Sequence, residues 1–272
     1  MTAVETLLQP LSHLFSSNAP EALAYVRAIS FALCCGLLLA GVLLTFLPIR
    51  TPYGRYASKG WGPTVPGIVD WVMHGSALLA VNFCVNRNDF GELTNGSALM
   101  LTLYCVHYVY RSFVFGFSVK SPKPVPVLVM MLGSGFCFFN SLCIARELTF
   151  LSPVATMLSV HFVVGLCLFL FGFLGNAYHD HLLIALRTSS HEEGYKIPHG
   201  GLFEYVSGAN FFCEICEWIG FALCTGCASA WAFAFCTACN IGPRALHHHE
   251  SYREMFGAKY PAKRRALIPF VL

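Results

Sequence analysis

AISFALCCGLLLAGVLLTFLPI, residues 28–49, contains no charged side chain. A helix that crosses the hydrocarbon core of a bilayer needs about 20 mostly apolar residues, so this stretch reads as a membrane span. Four further runs of similar length lie outward from it, at about 66–85, 97–119, 125–145 and 155–177. A longer apolar segment, about 205–241, has room for two spans with a turn near Thr225 and Gly226. The chain therefore reads as an all-α integral membrane protein of about seven transmembrane helices, with no strand-like alternation. The composition agrees. Hydrophobic residues make up 56% of the 272 and charged residues only 11%, against about 25% charged in an ordinary soluble domain. The mean hydropathy is +0.61. A water-soluble globule of this length lacks the polar sequence to cover its surface, and a net charge of +3 gives no reason to expect a nucleic-acid partner.

Loop charge sets the expected orientation. Arg50, Arg55 and Lys59 follow the first span, Lys120 and Lys123 the third, and Arg187 and Lys196 the fifth. The tail carries Arg244, Arg253, Lys259, Lys263, Arg264 and Arg265. The alternate loops hold little base, Arg87 in one and Arg146 in another. The basic loops fall on one side, so the C-terminus is expected in the cytosol and the N-terminus on the outer or lumenal side. Residues 1–27 form a short polar segment with Glu5 and Glu21 and no cleavable leader pattern, so the first span is expected to stay as an anchor. The whole of 1–272 reads as a single membrane-embedded domain.

Polar residues inside spans are expensive and mark function by default. Asp70 and His74 stand four apart, on one helical face. His107, Tyr108 and Arg111 share the third span. Asn210, Glu214 and Glu217 share another face. Any one group could simply tie helices together, but three on separate spans point to a common polar cavity. The 13 cysteines sit mostly in apolar runs, where thiols act as small hydrophobes. Cys213 and Cys216 form a C-x-x-C without a second pair, which reads as helix packing and not a metal site. Basic residues near the fifth span and the tail could hold phosphates. The sequence has no Walker loop and no strand followed by G-x-G-x-x-G, so a nucleotide would bind among helices.

GGLFEYVSGANFFCEICEWIG at 200–220, RALHHH at 244–249, Tyr252, YPAKRRALIPF at 260–270 and HYVYRSF at 107–113 resemble the steroid 5α-reductase family closely. PYGRY at 52–56 and GWGPTV at 60–65 are also similar to its members, so the resemblance covers 52–272. It implies a membrane reductase in which NADPH lies between helices, opened to the cytosol. The implied cofactor residues are Asn176, Asp180, Arg187, Tyr195, Asn210, Glu214, His248 and Tyr252, with Arg111, Lys123, Lys196 and Arg244 as further candidates. Lys196 stands where some members have arginine, which removes a bidentate phosphate contact.

The implied reaction adds hydride to C5 of a 3-oxo-4-ene steroid and a proton to C4, giving a 3-oxo-5α-steroid. Tyr108 matches the family's tyrosine that polarises the carbonyl. One position departs from the pattern. WVMHG at 71–75 places Gly75 where the family carries a glutamate that also serves the carbonyl. His74 or Asp70 is the expected replacement, and His74 is taken with Tyr108 as catalytic. The partners expected are a steroid or other lipid enone and membrane lipid, the state a monomer, and the location a multi-pass membrane protein of the endoplasmic reticulum. Three alternatives stand beside this reading: a polyprenol, enoyl-CoA or sterol-ring reductase; a histidine-rich di-iron hydroxylase, for which the repeated H-x-x-H-H is missing; and a sterol-binding protein without catalysis.

Overall fold

The computed structural model describes residues 19–46, 56, 60–86, 93–120, 122–151, 154, 156–188 and 195–272. Arg50, Arg55, Lys59 and Arg87, used above for orientation, lie outside the described residues, as does the side chain of Arg187. Among the described residues the architecture is all-helical apart from one two-residue strand pairing and an isolated bridge between Val206 and Arg265. In order it runs α1 (Ala19–Phe46), β1 (Thr64–Val65), α2 (Gly67–Met73), α3 (Ser76–Val85), α4 (Asn95–Val109), β2 (Val125–Pro126), α5 (Val127–Arg146), α6 (Val160–Thr188), α7 (Ala209–Thr225) and α8 (Ala228–Phe256). Among the described residues, five helical stretches are long and apolar enough to cross a membrane: Pro20–Phe46, Gly67–Val85, Asn95–Ser118, Val127–Thr149 and Val160–Leu186.

Several expected boundaries shift, each for a local reason. Helix α1 begins at Ala19 and not near residue 28. Pro20 fits a first turn, where its missing N–H has no helical partner to lose, and Glu21 faces the positive end of the helix dipole. The expected second span is present as Gly67–Val85, but its helix is interrupted part-way. His74 N–H donates to the Trp71 carbonyl at 3.2 Å and Gly75 N–H to the Val72 carbonyl at 2.9 Å, so the chain tightens to three residues per turn between α2 and α3. The expected absence of strands also needs correcting. Thr64 pairs with Pro126 and Val65 with Val125, antiparallel, which ties the entrance of α2 to that of α5.

Helix ends follow the sequence. Thr94 caps α4, its hydroxyl accepting from Ser97 N–H at 3.2 Å. Ser159 does the same for α6 through Phe162 N–H at 3.2 Å. Helix α7 stops at Gly226, which takes the left-handed conformation at φ 66°, so the turn lies where the sequence puts it.

Helices α6 and α7 form the most extensively packed pair in the described structure. In lipid there is little hydrophobic gain in bringing helices together, so close van der Waals contact must hold them, and small residues permit it. A methyl group on Gly172 would collide with the backbone of Glu217, and one on Gly220 with the backbone of Phe169. One on Gly165 would lie 2.8 Å from the Cys224 nitrogen. Above this seam Trp218, Phe221, Phe169 and Tyr104 are buried in an aromatic core, with Trp218 4.4 Å from Phe233 between ring centres.

Helix α8 carries Pro243 in its interior. A proline there has no N–H for the carbonyl four residues earlier, which is Cys239. Gly41 of α1 approaches that same carbonyl, so closely that an added Cβ would lie 2.6 Å from its oxygen.

Gly172→Ala or Gly220→Ala is expected to lower the thermal unfolding temperature of detergent-solubilised protein, at an overpacking cost of about 1–3 kcal/mol. Gly36→Ala and Gly135→Ala, where nothing lies within 4 Å, should leave it unchanged or slightly raised.

Candidate active site

Past Val109, helix α4 widens into a π-helical stretch, Tyr110–Phe115. Such bulges recur at functional sites because they re-aim side chains, and Arg111 projects from this one. Its Nη1 donates to Asp180 Oδ2 at 2.6 Å and its Nη2 to Glu214 Oε2 at 3.5 Å. The guanidinium lies over the rings of Trp71, at 5.1 Å, and Phe115, at 4.7 Å. One cation therefore joins α6, α7 and α2.

Amides complete the cluster. Asn176 Nδ2 donates to Glu214 Oε2 and to the Asn210 carbonyl, both at 3.1 Å. Asn210 Nδ2 donates to Asp180 Oδ1 at 3.0 Å. Asn176, Asp180 and Asn210 are buried. Five residues singled out in the sequence, Arg111, Asn176, Asp180, Asn210 and Glu214, thus form one hydrogen-bonded set. Asn176 and Asp180 are four apart on α6, and Asn210 and Glu214 four apart on α7, so each helix presents one polar face to the other.

Tyr108 lies one turn before Arg111 and is 4% exposed, so it faces the protein and not lipid. Its ring lies 4.9 Å from that of Tyr104 and 5.3 Å from that of His107 between centroids. A chain of hydroxyls continues behind it. Ser141 Oγ donates to the Cys137 carbonyl at 2.6 Å, so the Tyr104 hydroxyl, 2.7 Å from Ser141 Oγ, donates to Ser141 and keeps its oxygen free to accept. Asn140 Nδ2 donates to that oxygen at 3.3 Å.

The sequence marked His107 and Glu217 as polar without giving them a role. They form a buried pair, Nδ1 to Oε1 at 2.7 Å, with neither side chain more than 6% exposed. Their spacing on α4 and α7 was visible, but not that they face each other. His74 packs its ring 5.7 Å from Trp71 and bonds through Nδ1 to the Asp70 carbonyl at 2.7 Å. Asp70 is in electrostatic reach of His74 and Arg244. Gly75, where the family pattern has glutamate, sits in the break between α2 and α3. A Cβ there would lie 2.9 Å from the Val72 carbonyl oxygen and 3.3 Å from the Phe113 ring.

The other candidates lie around the 195–208 segment and α8. His248 stacks 5.5 Å from Tyr56 and 5.8 Å from Phe211. Arg244 donates to Asn240 Oδ1 at 2.8 Å. Tyr252 stacks on Tyr260 at 5.7 Å, against the tail. Tyr195 and Lys196 precede the Gly200–Gly201 turn, and Lys123 is exposed just before β2. None of these is bonded directly to the Arg111 cluster in the contacts described. His179, one of the chain's 11 histidines, uses both ring nitrogens on backbone. Its Nδ1 donates to the Gly175 carbonyl at 2.6 Å and its Nε2 accepts Leu202 N–H at 2.9 Å. It pins the two-glycine turn onto α6, and Gly201, at φ 54°, leaves room for the ring.

Comparison with known proteins bears on this arrangement. The family model described as 3-oxo-5-alpha-steroid 4-dehydrogenase matches residues 123–272. The protein named 3-oxo-5-alpha-steroid 4-dehydrogenase 1 of Bos taurus is 37% identical over 258 residues, covering 93% of this chain and 96% of the relative. Those named 3-oxo-5-alpha-steroid 4-dehydrogenase 2 of Homo sapiens and Sus scrofa are 35% and 43% identical over 236 residues, covering 85% of this chain and 92% of each relative. The chain belongs to this family. Members of the 3-oxo-5-alpha-steroid 4-dehydrogenase family are oxidoreductases acting on CH–CH groups, and the resemblance read from the sequence is confirmed. The matched region contains α6, α7 and α8, and so the helices that supply four of the five clustered residues.

Arg111→Ala would leave Asp180 and Glu214 without their cation. Removing one partner of a buried ion pair costs about 3–5 kcal/mol, and a large loss of thermal stability in detergent is the expected reading. A second prediction concerns pH. Glu204 accepts Gly200 N–H at 2.7 Å. That bond, with smaller contributions from His199 and Arg264, holds its carboxyl below the ordinary glutamate range. A depressed folded pKa means that this support is present at neutral pH and is lost as pH falls through the folded value. The protection factor of the Gly200 amide, its exchange rate set against the intrinsic rate at each pH, should therefore fall in acid in the native protein, while Glu204→Ala should leave it low throughout.

Proposed function

We propose that this protein is an NADPH-dependent reductase of the 4,5 double bond of 3-oxo-4-ene steroids, giving 3-oxo-5α-steroids. The observation that carries the reading is the Arg111–Asp180–Asn210–Asn176–Glu214 cluster one helical turn from a buried tyrosine hydroxyl, in a chain of this family. The donor set fits a dinucleotide. Buried carboxylates accept from ribose hydroxyls and amide N–H groups, side-chain amides both donate and accept, and the rings of Tyr56, Phe211 and His248 offer flat faces. Asn176, Asp180, Asn210, Glu214 and Arg111 would hold the cofactor's polar groups, with Arg187, Tyr195, Lys196, Arg244, His248, Tyr252 and Lys123 toward its phosphates and base. NADPH, when bound, supplies the hydride that reaches C5 of the steroid.

The residues of the chain do the rest. A 4-ene-3-one accepts hydride only if the charge flowing onto its C3 oxygen is stabilised, and a donor held in a dry site does this best. Tyr108 is that donor. Tyr104, held through Ser141 to the Cys137 carbonyl, packs its ring 4.9 Å from that of Tyr108 and fixes the ring that carries this hydroxyl, so little reorganisation is needed as charge develops. His74, with Asp70 behind it, supplies the second contact in place of the family glutamate missing at Gly75. A proton then adds at C4. The low exposure of Tyr104, Tyr108 and Trp218 keeps water from the developing enolate.

In this reading residues 1–272 are one reductase domain, with α7 and α8 as the sixth and seventh spans. The N-terminus is then lumenal, the C-terminus cytosolic, and the monomer resides in the endoplasmic reticulum. Gly75 favours a second reading within the same chemistry, reduction of a different lipid double bond.

A panel of steroid enones, polyprenols and enoyl-CoAs with NADPH, read by product mass, decides between the two. Tyr108→Phe is expected to lower kcat for enone reduction by about 10²–10³, the usual effect of removing one oxyanion donor, with NADPH affinity unchanged. Full activity in both Tyr108→Phe and His74→Ala would remove the carbonyl site.

A further inference from the structure

A second basic site lies away from the Arg111 cluster, where the tail folds back on α8. A cavity of about 500 Å3 opens there. His249 and Arg253 line it from α8, and Arg264, Arg265, Val271 and Leu272 line it from the tail. His249 and Arg253 lie on a different face of α8 from His248 and Tyr252, and the cavity shares no residue with the proposed cofactor set. Among its described lining residues none is acidic. Glu204 stands beside it, its Oε2 3.8 Å from Arg264 Nη2.

Arg264 is the unusual member. Its side chain is fully buried, and its Nη1 donates to the Pro198 carbonyl at 3.0 Å. Its Nε and Nη2 are buried without a hydrogen-bond partner. With no accessible side-chain surface, Arg264 is sealed behind the cavity wall, with Glu204 beside it and the Tyr260 ring 5.3 Å away. Around it Arg253 and Arg265 are exposed, with Lys263 just outside. Their forked guanidinium donors are suited to phosphate oxygens.

The rim of the cavity narrows the choice of phosphate. Val271 is 74% exposed and Phe270 75%, with Ile268 and Leu272 also exposed beside them. Tyr205 packs its ring 5.2 Å from Phe270 and is itself exposed. Four apolar side chains displayed next to a pocket of arginines make an amphiphilic surface. A soluble phosphate has no use for the apolar half. A lipid uses both, the headgroup in the basic cavity and the acyl chains along the apolar rim, and membrane proteins bind anionic headgroups in basic pockets of this kind.

We propose that the cavity between α8 and the tail binds the headgroup of an anionic phospholipid, its phosphate held by Arg253 and Arg265, with the sealed Arg264 adding positive charge behind them. The lipid then clamps the tail to α8, adding to the contacts that already hold it. Those contacts are Ser207 Oγ to His249 Nδ1 and to the Tyr260 hydroxyl, each at 2.6 Å.

The test is native mass spectrometry of the full-length protein released from nanodiscs containing phosphatidylcholine with either phosphatidylserine or phosphatidylinositol. The expected result is retention of anionic lipid over phosphatidylcholine by tenfold or more, and loss of that preference in the exposed-side double variant Arg253→Glu with Arg265→Glu. Arg264→Gln is the buried counterpart, and the double variant keeps the test valid if Arg264→Gln fails to fold. Equal retention of phosphatidylcholine would overturn the proposal, as would an unchanged preference in the double variant. Displacement of the retained lipid by millimolar inorganic phosphate alone would also overturn it, since the apolar rim would then contribute nothing. The readout is lipid retention, so it stands or falls independently of whether the protein reduces a steroid.

Discussion

Arg111 is the interaction on which the site depends. A guanidinium within a membrane protein is tolerated only where its charge is met, and here two carboxylates from two helices meet it while Trp71 and Phe115 cover its faces. The requirement works in both directions. Asp180 and Glu214 could not sit between α6 and α7 without the cation, and the cation could not reach them from a regular α-helix without the π-helical widening. Asn176 and Asn210 occupy the remaining acceptors. A polar chamber is thus built in a region whose surroundings favour hydrocarbon, and its members are held rigidly because each lost bond would be unsatisfied.

The glycines of the α6–α7 seam make that chamber possible by a separate route. They bring the two backbones so close that the short side chains Asp180 and Asn210 can meet directly. With larger residues in the seam, the same polar faces would be held apart and would need water between them. The steric and electrostatic parts of the site are therefore one design. Packing sets the distance, and the ion pairs take advantage of it.

Much of this was legible in the amino-acid order. Hydropathy located five spans, and the polar spacing of Asn210, Glu214 and Glu217 on one face was correct because helical periodicity is a local property. The break at His74–Gly75, the pairing of 64–65 with 125–126 and the partnership of His107 with Glu217 were not legible. Each depends on which distant segment lies opposite, and no local pattern states that. The early start of α1 could have been read from Pro20 and Glu21, but the apolar run drew the boundary inward. The histidine-rich appearance of the chain was the most misleading signal. His179 proved to be a bracket for a backbone turn, a role that composition cannot separate from metal binding.

Pro243 carries a consequence for motion. Bending a helix ordinarily means stretching or breaking hydrogen bonds on its outer side, and that resistance keeps helices straight. At Cys239 the bond is already absent, and Gly41 of α1 grips the bare carbonyl. The two arms of α8 therefore meet at a pivot whose angular stiffness is low and whose position is fixed. One arm is bedded in the helix bundle, and the other carries His248 and the docked tail. Any tilt of one arm against the other therefore meets least resistance at residues 239–243.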